Sequence, residues 1–173
     1  MYISKLVVKN YKLLKDVNLD LNERINIFVG ENDSGKSTIL EVLSIITSGK
    51  LNGYAFERQI KANMFNDEAR KEYINSLASG LPLSPPEIII EAFLQDADPQ
   101  YSGTNNSLLK DACGIRVRVH FNEEYSDLYN SLLSSKEIYD IPVEFYSVEI
   151  RYFNGSPVLQ RFSPIKAAFI DTT

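Results

Sequence analysis

One cysteine, Cys113, one histidine, His120, and no tryptophan stand among the 173 residues of the chain. A disulfide framework and a Cys/His zinc cluster are therefore excluded, since each needs several such side chains. A Ser-His-Asp hydrolase would have to rest on His120 alone. Proline and glycine are sparse, at 7 and 8 residues, while tyrosine and phenylalanine reach 10 and 9, a balance that argues against disorder. No apolar run approaches the roughly 18 residues that a membrane-spanning helix requires. The opening Met1-Tyr2-Ile3-Ser4-Lys5 leads into alternating Lys and Val rather than a secretory apolar block. These absences predict a soluble, cytoplasmic protein with no membrane partner.

What is present is an ordinary globular composition, 44% hydrophobic and 24% charged, with material for one sizeable core. Net charge is -5, and residues 51–150 account for it with eight basic against sixteen acidic side chains. The surface as a whole therefore carries no electrostatic footprint for nucleic acid, which leaves only a local patch for such a role.

Period-2 alternation over Ile3–Lys9 and Val17–Leu21 predicts two half-buried antiparallel strands. The denser run Ile25-Asn26-Ile27-Phe28-Val29, ending at Gly30, predicts a central strand buried on both faces. From Ser37 to Ser48 the apolar set Ile39, Leu40, Val42, Leu43, Ile45 and Ile46 is too wide for a surface stripe, so a largely buried helix is expected, with Gly49 as its stop. A second helix is predicted around Asp67–Leu77 with Asn66 or Asp67 as cap, and the Pro- and Gly-rich stretch 79–86 breaks the chain. Strands follow at Glu87–Leu94, Gly114–Phe121 and Val143–Phe153, with a polar loop over 96–106 and a helix over Glu123–Leu133. The expected fold is α/β with α+β character, a mixed or antiparallel sheet packed around the first helix. The parts are strands, loop and helix in 1–49, a partly helical insertion in 50–86, and strands with one helix in 87–173.

One stretch carries specific chemistry. Gly30-Glu31-Asn32-Asp33-Ser34-Gly35-Lys36-Ser37 fits G-x-x-x-x-G-K-[ST] at every required position. At average residue usage a chance match in a chain of this length is roughly a one-in-a-few-hundred event. Phosphate oxygens need many converging donors, and Gly30 and Gly35 give the backbone freedom to point successive N–H groups into one concavity. The N-terminus of the helix that follows adds unpaired N–H groups and the positive end of its dipole. Lys36 is expected to reach the β- and γ-phosphates of ATP, and the Ser37 hydroxyl to ligate Mg²⁺. The bland alternative is a strand-to-helix turn that holds no ligand.

Lys9-Asn10-Tyr11-Lys12 just after an N-terminal strand, followed by Ile25–Val29 and Gly30-Glu31-Asn32-Asp33-Ser34-Gly35-Lys36-Ser37-Thr38-Ile39-Leu40-Glu41, resembles the N-terminal end of the ABC-type ATPases of DNA metabolism. That group includes the SMC and RecF proteins and the OLD family of ATP-dependent nucleases, and the P-loop wording looks most like the OLD branch. The resemblance implies a P-loop NTPase head whose N-terminal lobe is this chain, with ATP and Mg²⁺ held between two heads of a homodimer. It further implies that hydrolysis controls the access of DNA to a clamp or a C-terminal Toprim nuclease, in DNA repair or phage defence. The implied nucleotide-binding set is Gly30, Glu31, Asn32, Asp33, Ser34, Gly35, Lys36, Ser37 and Thr38, with Lys12 near the phosphates. Lys12 could equally be a solvated strand-end lysine, and Asn32 a plain turn residue. The side chains of Glu31 and Asp33 are expected to face solvent.

A hydrolase of this type also needs an acidic residue for Mg²⁺ at a strand end and a carboxylate to polarise water. No run of four apolar residues is followed by Asp-Glu. Asp171 follows an apolar run but is succeeded by Thr172, and Glu91 follows Ile88-Ile89-Ile90 on what alternation makes a different face. No Ser-Gly-Gly signature occurs; Ser79-Gly80 and Ser102-Gly103 read as turns. The chain is therefore expected to hold no catalytic residue beyond those two candidates, to bind ATP or ADP weakly, and to hydrolyse it poorly, as about half of a longer ATPase head. A self-contained P-loop kinase or small NTPase, and a non-catalytic nucleotide-binding module that docks a partner through its acidic region, are the alternatives. Arg116, Arg118 and His120 form a basic row on one strand face, able to meet phosphate or simply an exposed antiparallel face.

Overall fold

The computed structural model describes residues 1–32, 34–80, 82–159 and 165. β1 (Tyr2–Tyr11) and β2 (Leu14–Asp20) form a hairpin closed by the two-residue turn Lys12-Leu13. The helix α1 (Lys36–Ser48) follows, then a short hairpin of β3 (Lys50–Leu51) and β4 (Tyr54–Ala55), and α2 (Asp67–Ser79). β5 (Ile88–Gln95), the short β6 (Ser102–Gly103), β7 (Ala112–Phe121), α3 (Ser126–Ser135) and β8 (Tyr146–Tyr152) complete the described elements. The main sheet runs β2-β1-β5-β7, with both β6 and β8 pairing on β7, and every pairing is antiparallel.

The alternation of these strands sorts the residues onto two faces. Leu6 and Val8 of β1, Ile88, Ile90 and Ala92 of β5, and Ile115, Val117 and Val119 of β7 are buried together with Ile39, Val42, Ile45 and Ile46 of α1. At roughly 1.5–3 kcal/mol for each fully buried aliphatic side chain, the α1 contacts alone anchor the helix firmly to the sheet. α1 ends as the sequence predicts: Gly49 adopts a left-handed conformation, φ 62, and donates its N–H to the Ile45 carbonyl. Asn66 caps α2 by accepting from the Glu68 N–H.

The far face is polar along most of its length, with a small second core of Val7, Phe93 and Phe153. Gly114 belongs there, because a Cβ at that position would overlap the Phe153 ring. β8 starts three residues later than alternation predicts, since Val143–Phe145 form a 3₁₀ turn after Pro142.

The central strand predicted over Ile25–Val29 is not formed. The segment pairs with no strand among the described residues, and Ile25, Ile27 and Val29 are 73%, 78% and 88% exposed. A dense apolar run reads as a buried strand only if neighbouring strands and a second layer cover it, and the described elements supply neither beside this segment.

Candidate nucleotide-binding site

α1 begins inside the P-loop motif. Gly35 is its N-cap, held at φ 88 with ψ 7, a conformation that costs an L side chain roughly 1–2 kcal/mol. Space reinforces the choice of glycine, since a Cβ on Gly35 would lie 3.1 Å from Leu14 Cδ2. A glycine cap offers no side-chain acceptor, and the first turn of α1 holds no acidic residue. The leading N–H groups of the helix therefore keep their capacity for an external anion.

These groups open into a cavity of about 440 Å³ lined by Leu13, Asn32, Ser34, Gly35, Lys36, Ser37 and Thr38. That volume lies within the roughly 300–1,000 Å³ of small-ligand sites. The lining is mainly polar backbone and hydroxyl, as a phosphate rather than an apolar ligand demands. The Lys36 ammonium is folded back into the loop, where it donates to the Gly30 carbonyl at 2.7 Å, the Glu31 carbonyl and the Ser34 hydroxyl at 3.1 Å. Its three protons are thereby occupied by loop oxygens that phosphate oxygens can replace. Gly30 makes room for this cage: a Cβ there would sit 2.6 Å from Ser34 Oγ. Ser37 is exposed at the cavity, and its hydroxyl has no protein partner among the described residues. Thr38 is buried at the base, and Glu31 and Asn32 are exposed.

The donor set fits a nucleotide phosphate with Mg²⁺. Lys36 and the first-turn amides would hold the phosphate, and Ser37 would offer a hydroxyl to the ion. No cluster of three or more His, Cys, Asp or Glu able to hold a metal is present among the described residues, so phosphate oxygens and water would complete the ion's shell, as is usual for Mg²⁺.

Lys12 stands next to this cavity, at the tip of the β1–β2 hairpin, with φ 47. Its backbone is fixed on both sides: its N–H donates to the Met64 carbonyl at 2.8 Å, and its carbonyl accepts from Asn66 Nδ2 at 2.7 Å. The Lys12 ammonium is tied to both oxygens of Glu41 on α1, at 2.6 and 2.8 Å, and the buried Tyr11 hydroxyl donates to the same carboxylate at 3.1 Å. Burial, followed by the charge and hydrogen bond of Glu41, pushes the Tyr11 hydroxyl well above the usual phenol range, so it stays a donor. The hairpin is thus fastened to the P-loop helix, and it is Leu13, not Lys12, that lines the P-loop cavity. Glu41 is the residue that sequence reasoning passed over as part of the site. Its position one turn past Ser37 was the signal available, but its partners lie 29 and 30 residues away.

The two carboxylate candidates do not join this group. Glu91 is completely buried on the sheet face opposite α1, where it accepts from the Ser107 N–H at 2.9 and 3.0 Å and from the Ser107 hydroxyl at 3.0 Å. It holds a loop down on the sheet and faces away from the P-loop. Asp171 and Asp33 lie outside the described residues. Ser79-Gly80 forms the C-terminal end of α2, and Ser102-Gly103 is β6.

A helix that starts in a Gly-Lys-Ser loop, packed on an antiparallel sheet with a basic hairpin at its N-terminal end, defines the N-terminal architecture of a P-loop nucleotide-binding protein of ABC type. The chain belongs to the AAA ATPase domain family, whose model matches residues 1–145. It is similar to "DNA replication and repair protein RecF" of Pasteurella multocida, 23% identical over 172 residues, which cover 99% of this chain and 38% of that one. The same-named protein of Bacillus cytotoxicus is 30% identical over 60 residues, 35% of this chain and 16% of its own. The chain therefore spans well under half the length of these curated relatives. A solved structure described as "Structural biochemistry of ATP-driven dimerization and DNA stimulated activation of SMC ATPases" shares the fold, with a TM-score of 0.50 at 18% identity, over 93% of this chain and 74% of that one. The family is thus the AAA ATPase domain, and the fold is the one shared with that SMC ATPase structure. Among the described residues no helix is long and apolar enough to cross a membrane.

Proposed function

We propose that the chain binds ATP with Mg²⁺ through Gly30–Thr38 and serves as the N-terminal nucleotide-binding lobe of an ATPase head that works on DNA. The observation that carries the reading is the P-loop cavity itself, with Lys36 caged by exchangeable loop oxygens and Ser37 free beside it. The relatives' names support a DNA-processing role, and the SMC-type fold supports pairing of two heads around nucleotide. Ile25–Val29, rich in exposed apolar side chains and paired with no strand among the described residues, fits a strand that further strands of a head would complete. Glu91 is committed to Ser107, so this reading assigns the chain nucleotide binding and gives no water-activating role to Glu91, with slow hydrolysis as the expected outcome.

Sedimentation with Mg²⁺ and ATP tests the pairing: a shift to dimer that Lys36→Ala abolishes supports it, and a monomer under all conditions overturns it. Turnover reaching about 1 s⁻¹ would contradict the binding-only role. The Gly-Glu-Asn-Asp-Ser-Gly-Lys-Ser wording favours the OLD branch within the group. That assignment stands if the gene encodes a Toprim acidic cluster in the same polypeptide and falls if it does not.

A further inference from the structure

On the sheet face turned away from α1, β7 and β8 bring three guanidinium groups together. Arg116 and Arg151 are direct cross-strand partners, and Arg118 stands opposite Glu149. Like charges directly opposite on an antiparallel ladder destabilise the pair, so the arrangement is costly if stability were its only purpose. The three arginines, Asn105 and Glu149 line a pocket of about 70 Å³. That is room for about two water molecules or one tetrahedral oxyanion.

The carboxylates nearby do not use up the donors. Glu87 is committed to Arg118 through paired hydrogen bonds, which occupy only its Nε and Nη2. Glu91, the carboxylate opposite Arg116, accepts from Ser107 and forms an ion pair with Arg116, 3.4 Å from Nε, without a hydrogen bond to it. Arg116 is left with one bond, from Nη1 to Asn105 Oδ1 at 3.0 Å. Glu149 meets Arg151 at 3.4 Å and His120 at 4.0 Å, contacts too long to be strong. Arg116 Nε and His120 Nε2 are enclosed on this face with no hydrogen-bond partner among the described residues. Buried polar atoms in that condition are uncommon and call for a physical reason.

We infer that this pocket is a second anion site, separate from the P-loop, that takes one phosphate group on the forks of Arg116, Arg118 and Arg151. Fork-shaped donors match a phosphate in a way that single ammonium groups do not. Glu149, on the pocket wall and 37% exposed, is the acceptor that a phosphate would displace from Arg151. The phosphate comes either from a nucleic-acid backbone or from free phosphate, and both present the same oxygens.

The test uses the chain carrying Lys36→Ala, so that the P-loop does not contribute. The Nε–H resonances of Arg116 and Arg151 are followed by NMR while inorganic phosphate, or separately a short fluorescein-labelled oligonucleotide, is added. The resonances are expected to shift saturably. If the backbone is the source, Arg151→Gln weakens oligonucleotide binding about tenfold and lowers the slope of log affinity against log salt by about 1, while Arg151→Lys restores the slope but not the affinity. If phosphate moves the resonances and Arg151→Gln leaves oligonucleotide binding unchanged, free phosphate is the ligand. Arg151 is 44% exposed, so the substitution is expected to leave the melting curve intact. Resonances unmoved by either probe overturn the inference, and that result is independent of whether the wild-type chain binds ATP.

Discussion

Replacing Glu41 by alanine removes the one acceptor that the hairpin and the P-loop helix share. The carboxylate receives two hydrogen bonds from Lys12, at 2.6 and 2.8 Å, and one from Tyr11 at 3.1 Å. The Lys12 and Glu41 side chains are 31% and 26% exposed, so the pair sits between surface and interior. At an effective dielectric near 20, two unit charges about 4 Å apart attract by roughly 4 kcal/mol, most of which desolvation offsets. Stranding the buried Tyr11 hydroxyl adds about 1–3 kcal/mol. Glu41→Ala should therefore destabilise the chain by about 2–4 kcal/mol, and Glu41→Gln, which still accepts from Tyr11, by about half as much. Urea denaturation followed by circular dichroism measures both. A double-mutant cycle with Tyr11→Phe should recover a coupling of about 1 kcal/mol or more. A loss below about 0.5 kcal/mol for Glu41→Ala, the range of an ordinary surface substitution, would refute the account of the hairpin as fastened through this carboxylate.

The paired hydrogen bonds between Arg70 and Asp140 hold α2 to the segment before β8, and they keep the Asp140 carboxyl below its ordinary range. A depressed folded-state value means the stabilisation is present above the unfolded value and lost as pH falls through the folded one. Asp140 is 37% exposed, so Asp140→Asn should cost about 1 kcal/mol or less near neutral pH, and the difference from wild type should shrink below about pH 4. Melting curves across that range would decide the matter, since a constant difference contradicts the ion pair. Gly114→Ala drives a methyl into the Phe153 ring, itself packed edge-on to Phe93 at 4.8 Å, and should cost about 1–3 kcal/mol or more. An unchanged urea midpoint would show that this second core is loose. Gly35→Ala combines the left-handed backbone cost with the 3.1 Å approach to Leu14, so it should lower the melting temperature and weaken nucleotide binding together. A change in one without the other would separate loop geometry from the fold.

Much of the architecture is readable in the residues, for physical reasons that are local. The P-loop, the α1 stop at Gly49 and the Asn66 cap are short-range devices, and each falls where its sequence signal stands. The alternation of β7 and β8 survives as two faces, and it correctly turns Glu91 away from α1. What alternation cannot name is a partner. Ser107 meets Glu91 from a loop, and Glu41 meets Lys12 across 29 residues. Ile25–Val29 shows the same limit in reverse, since apolar density signals a need for burial but not which strands satisfy it. Family likeness puts Lys12 near the phosphates, and alternation cannot show that the ammonium bonds Glu41 while the neighbouring Leu13 lines the cavity.

The central claim is that Lys36, now caged by Gly30, Glu31 and Ser34, exchanges those oxygens for nucleotide phosphate. Calorimetric titration of Mg²⁺ and ATP into the wild-type chain and into Lys36→Ala tests it most directly. Saturable heat in the wild type, with affinity lowered at least about tenfold in the variant, is predicted for loss of a charge-assisted phosphate contact. Equal heats and equal affinities in the two proteins would contradict it.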